Sequence, residues 1–165
     1  MKLSIITLRT ITTDEATGMK GMLTHLQVGQ DHRQFYRFQP RALNPEDGQP
    51  VKGMWLVPER FAGTPARSEV ELPLEVLGTH VRDTGTGFQG TAVAVNLHSS
   101  GCVHVEIQPK GQLGKTGAAI DSCDFDIRRL EGRSIKVMTD EQREADQRAR
   151  PSPAPMERSG PRAPV

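Results

Sequence analysis

Apolar and polar residues alternate along positions 74–82 (Leu74, Val76, then His80 and Val81), the period-two signature of a half-buried strand. A second, longer strand is expected over 88–97, where Ala92, Val93, Ala94 and Val95 are apolar on both faces. Residues 102–107 place β-branched side chains at alternate positions and predict a third strand, ended by Pro109, which has no N–H for a ladder. A Gly-rich loop over 110–117, a fourth strand over 118–125 and a last turn or strand over 126–131 complete the unit. The turn at 83–87 (Asp83-Thr84-Gly85-Thr86-Gly87) draws on glycine for positive φ, and 98–101 reads as a hairpin loop. No window before Gly132 carries a helical period, so the expected class is all-β.

The same pattern occurs twice. A shift of 69 positions carries Asp14, Thr17, Gly18 and Gly21 onto Asp83, Thr86, Gly87 and Gly90 without a gap. It also carries Gln39-Pro40 onto Gln108-Pro109, Gly48 onto Gly117, and Arg60 and Gly63 onto Arg129 and Gly132. Apolar character persists where identity does not, as in Leu26 with Val95, Phe38 with Ile107, Leu56 with Phe125 and Phe61 with Leu130. A register that survives through turns and strands alike marks an internal duplication. Two tandem small SH3-like barrels are therefore expected, over 1–63 and 70–132, followed by a polar, Pro-rich tail over 133–165. Residues 62–68 read as a short, polar, Pro-containing linker that holds the repeats close.

Composition agrees with two very small domains, small barrels rather than one large core. Only 35% of residues are hydrophobic and 4% aromatic, against 16 Gly and 12 Pro. Lys and Arg number 21 and Asp and Glu 20, which gives no general support for binding nucleic acid or an anionic membrane. No stretch approaches the length of a membrane span. The first eight residues are too short an apolar run for a secretory segment and read as a first strand of a protein made in the cytoplasm.

The run Val81-Arg82-Asp83-Thr84-Gly85-Thr86-Gly87-Phe88-Gln89-Gly90-Thr91-Ala92, with Gly101-Cys102, Gln108-Pro109 and Arg129-Leu130-Glu131, resembles a group of short phage and prophage proteins. These are single units of about 60 residues, near the lower limit for an independent fold. They carry a D-x-x-T-G-F-x-G-x-A start, a central G-C, a following Q-P and a terminal R-L-E. The resemblance covers 77–131 and extends weakly over 14–61, where Arg33 replaces the central Cys and Phe61 the final Leu. It implies a phage origin and an SH3-like barrel, and it implies no reaction.

Candidate chemistry is sparse. Cys102 and Cys123, with His98 and His104 nearby, lack the C-x₂₋₄-C spacing of a zinc knuckle, and repeat one has Arg33 and Met54 in their places. Buried free thiols are the expectation, with a cross-strand disulfide and a metal site as the alternatives weighed. Asp121, Asp124 and Asp126 read as a solvated strand face, although a cation site is conceivable. No nucleophile-and-base signature and no P-loop is present, and the five histidines are scattered over different repeat positions. No enzyme, no cofactor and no resident metal are expected.

Phe35-Tyr36-Arg37-Phe38 is the more informative cluster. Alternation puts Tyr36 and Phe38 on one face and Phe35 with Arg37 on the other, where Arg33 and Trp55 join the question. Arg33, Phe35, Arg37 and Trp55 are the protein-interface candidates, with packing between the repeats and stacked bases as alternatives. In the tail, 139–150 suits one short polar helix capped by Thr139, and 151–165 reads as disordered or extended. The expected role is a virion component, such as a capsid decoration, cement or head–tail connecting subunit. Its partners would be other phage structural proteins and copies of itself, with no membrane and nucleic acid disfavoured. A soluble phage binding protein acting inside the infected cell (a counter-defence sponge or host-factor inhibitor) is the second reading.

Overall fold

The computed structural model describes residues 1–110, 120–133 and 135; the expected helix over 139–150, the tail beyond it and most of the loop over 110–117 lie outside them. Among the described residues the alternating segments form eleven strands: β1 (Lys2–Ile6), β2 (Ile11–Thr13), β3 (Lys20–Gly29), β4 (Gln34–Pro40), β5 (Met54–Leu56), β6 (Arg67–Glu71), β7 (His80–Asp83), β8 (Gln89–His98), β9 (Val103–Gln108), β10 (Cys123–Asp126) and β11 (Leu130–Gly132). Three single 3-10 turns interrupt them, at Pro58–Arg60, Leu74–Val76 and Ile127–Arg129. The class is all-β, as the periodicity predicts.

The shift of 69 holds in the backbone. It carries β3 onto β8, and Pro58–Arg60 onto Ile127–Arg129. Each long strand is bulged at the same repeat position, between Leu23 and His25 in β3 and between Ala92 and Ala94 in β8. The extra residue reverses the side-chain phase, so Leu23 and Leu26, three apart, both point into the core, as do Ala92 and Val95. Tyr36 and Phe38 alternate inward from β4, and Val105 and Ile107 from β9. The Tyr36 hydroxyl is buried yet satisfied, accepting from the Ile6 N–H at 2.8 Å and donating to Gln34 Oε1 at 2.6 Å.

Each repeat closes on one buried carboxylate. Asp14 and Asp83 are both fully buried. Asp14 accepts from the Thr17 hydroxyl at 2.6 Å and from Arg60 Nε and Nη2, each at 2.8 Å. Asp83 accepts from the Thr86 hydroxyl at 2.6 Å, the Thr86 N–H at 2.8 Å, and Arg129 Nε and Nη2 at 3.0 and 2.8 Å. Gly18 and Gly87 follow at φ +70° and +76°, which lets their N–H groups return to the Asp14 and Asp83 carbonyls. The recurring D-x-x-T-G and distant Arg are thus one clamp that pins the 3-10 turn to the first tight turn.

The repeats join by backbone pairing. β3 runs antiparallel to β8, pairing His25 with His98, Gln27 with Asn96 and Gly29 with Ala94. Under the repeat shift the first and last of these pairs exchange and the middle pair maps onto itself. The junction therefore has the register of a two-fold axis through Gln27 and Asn96, the geometry of an isologous dimer held in one chain. The pairing order β10-β9-β8-β3-β4-β5, with β2 on β3, β7 on β8 and β11 on β7, makes one nine-stranded sheet. A separate ribbon pairs β1 with β6.

No closed barrel is found among the described residues, where β5 and β10 end the sheet path. Some expected element bounds change. The strand expected over 74–82 is confined to β7, because Pro73, without an N–H, starts a 3-10 turn in which Leu74 and Val76 are still buried alternately. Part of the 62–68 linker is strand, since Arg67 and Ser68 pair with Ile6 and Ile5.

Candidate functional site

The outward face of the sheet, across the junction, carries the side chains that no core needs. In repeat one, Arg37 of β4 stands opposite Trp55 of β5, and on its other side opposite His25 of β3. Phe35, two residues along, shares this face and is half-buried, while Trp55 is 42% exposed. Arg33 is placed apart, at the hairpin before β4, with its side chain exposed and paired with Asp31 at 3.4 Å. Of the four candidate interface residues, three share one surface and Arg33 sits at its rim.

Beside them runs a row of imidazoles. His25 contacts Trp55 edge-on with ring centroids 6.3 Å apart, His98 at 4.2 Å, and His98 in turn lies 4.5 Å from His104. Burial, then the neighbouring His98 and Arg37 charges, pushes the His25 imidazolium below its ordinary range. Burial followed by the His104 charge does the same to His98. His104 Nδ1 lies 3.0 Å from Asp124 Oδ2, and Asn96 Nδ2 donates to Asp124 Oδ1 at 2.9 Å. Next to this, Glu106 accepts from Gln27 Nε2 at 3.2 Å and from the Ser122 hydroxyl at 2.5 Å. Among the described residues, His98, His104 and Asp124 form a group able to hold a metal ion, their ligand atoms all within 4.8 Å of one another.

The two halves of the face occupy equivalent positions with different chemistry. Subtracting 69 places His98, His104, Glu106 and Asp124 on Gly29, Phe35, Arg37 and Trp55. Repeat one is aromatic and cationic there; repeat two is acidic and imidazole-rich. The fold itself requires neither set.

Cys102 and Cys123 are free thiols, but they are exposed rather than buried. β10 turns Cys123 to the opposite side from Asp124, and Cys102 lies at the hairpin end before β9. Asp124 and Asp126 do share a strand face, yet they part in role: Asp124 faces His104, while Asp126 caps the Ile127–Arg129 turn by accepting from the Arg128 N–H at 2.9 Å.

A groove of about 840 Å³ opens beyond β4, lined by Arg37, Gln39, Arg41, Leu43, Lys52 and Gly53 among others. It gathers three cationic side chains and no carboxylate. No helix among the described residues is long and apolar enough to cross a membrane. The chain matches no family model, no curated protein and no solved structure.

Proposed function

We propose that this chain is a non-enzymatic phage structural or assembly protein: a capsid decoration, cement or head–tail connecting subunit that docks on other virion proteins and on copies of itself. One observation carries the reading. A single sheet face holds an exposed Trp55, a half-buried Phe35 and Arg37 beside an acidic half, and aromatic residues with Arg are what protein interfaces enrich. The resemblance of the D-x-x-T-G-F-x-G-x-A pattern to short phage proteins supplies the setting. Mass spectrometry of particles purified from the phage carrying this gene should find the chain at a fixed ratio to the major capsid protein. A Trp55→Ser, Phe35→Ser double variant, both changes on the solvent side, should fold and yet be missing from particles. Wild-type chain absent from purified particles would sink the proposal.

The cationic groove favours a second reading, a soluble binding protein acting inside the infected cell on an anionic small molecule. Arg37, Arg41 and Lys52 around a cavity of about 840 Å³ suit a nucleotide-sized anion. Under this reading nucleotides raise the melting temperature of the wild type and leave that of Arg41→Ala, Lys52→Ala unchanged. A flat response across a nucleotide panel removes it.

A further inference from the structure

We infer that His98, His104 and Asp124 form a binding site for one divalent first-row transition-metal ion of the zinc type. The three donors come from three consecutive strands of the sheet: His98 ends β8, His104 lies in β9 and Asp124 in β10. Their ligand atoms lie within 4.8 Å of one another. Two ligands of a tetrahedral zinc stand about 3.3 Å apart, given bonds of about 2.0–2.1 Å. The His104 to Asp124 distance of 3.0 Å is already near that spacing, and a His98 ring nitrogen lies within 4.8 Å of both. Imidazole with carboxylate is the donor set such ions take, and it is a poor one for calcium or magnesium.

Two further features set this group apart from a solvated strand face. Asn96 is 8% exposed and uses its amide nitrogen to hold Asp124 Oδ1, which leaves Oδ2 turned to His104. Its own Oδ1 is buried without a hydrogen-bond partner, so the amide's hydrogen bonding is spent on orienting this carboxylate. Outer contacts of this kind fix metal-binding side chains in place. Second, repeat one builds the same strands with Gly29, Phe35 and Trp55 at the corresponding positions, so packing does not dictate the ligand set. His25 stands against His98 on the side of Trp55, which places the chain's one tryptophan within reach of an ion in the site.

The test uses the full chain with Cys102→Ser and Cys123→Ser, which removes the exposed thiols as competing ligands. Zinc is titrated against a chromophoric chelator, and cobalt(II) is followed by quenching of Trp55 fluorescence. The expected result is saturation at about one equivalent with Trp55 quenched in step. His98→Ala, His104→Ala and Asp124→Asn each weaken binding by about tenfold or more, while His80→Ala leaves it unchanged. Thermal melts in chelator identify any variant that fails to fold, and the near-isosteric Asp124→Asn decides in that event. Absence of saturable binding, or binding that the folded His98, His104 and Asp124 variants leave intact, overturns the inference.

Discussion

Replacing Asp14 by Ala should lower the stability of the chain by about 2–4 kcal/mol, and Asp83→Ala should do the same in the second repeat. Both carboxylates are fully buried, and each accepts a hydroxyl and a two-pronged guanidinium. Alanine removes every one of these bonds and leaves the Thr donor behind. The loss falls short of that for a wholly buried ion pair because the Arg60 and Arg129 side chains are 38% and 51% exposed, so water takes over their charge. The clamp joins residues 46 positions apart, so its removal frees the 3-10 turn and Phe61 or Leu130 behind it. Urea unfolding followed by circular dichroism checks this. A midpoint unmoved by either substitution would show that the turn is held by its apolar residues alone.

The same clamp contributes to the acid limb of stability. Hydrogen bonds from Arg60, then from Thr17, hold the Asp14 carboxyl at about 2, below its ordinary 3.8, against the opposing effect of burial. Asp83 is also depressed: burial works to raise it, but the Thr86 and Arg129 hydrogen bonds outweigh that. A group lowered in the folded state stabilises fully above its unfolded value, near pH 4, and loses that contribution as pH falls towards 2. The Asp14→Ala variant should therefore show a flatter loss of stability between about pH 4 and 2 than the wild type.

The clamp was legible in the sequence as spacing, because Asp, Thr, Gly and a distant Arg recur in one register. Its chemistry was not, since nothing in a string shows that the Arg returns to the Asp. Inward-facing residues such as Tyr36 and Phe38 followed from alternation, whereas Leu23 and Leu26 both face inward only because a bulge lies between them. The β3–β8 junction left no local trace: edge pairing is a long-range event whose register depends on backbone groups common to all residues. For the same reason nothing in the string joined Asp124, read with Asp121 and Asp126, to His98 and His104; register across three strands brings them together. One signal was available. At outward positions the two repeats disagree where Phe35, Arg37 and Trp55 stand in place of His104, Glu106 and Asp124, and divergence on a shared scaffold marks surface chemistry rather than packing.

Gly90→Ala should destabilise the chain by about 3 kcal/mol or more, although alanine is usually the easier residue to order. A Cβ at Gly90 would overlap the Gln108 carbonyl oxygen and lie 2.7 Å from its carbon and 2.9 Å from Pro109 Cα. These are backbone atoms of the facing strand, so no rotamer change relieves the overlap and the strands must part. Gly21 faces the same obstacle in repeat one, with the Gln39 carbonyl oxygen at 2.6 Å and the Phe38 ring tip at 2.5 Å. The recurring Gly and the recurring Gln-Pro are therefore two halves of one close crossing, where a strand enters the sheet beneath its neighbour's end. Gly29→Ala is the matched control: a Cβ there meets only the Asp31 carboxylate tip, at 3.1 Å, and a flexible side chain can move aside. Its midpoint should shift by less than about 1 kcal/mol equivalent. Equal effects at Gly90 and Gly29 would mean that strand propensity, and not the crossing, fixes the residue; a large loss at Gly90 alone ties the Gly and Gln-Pro signature to backbone geometry.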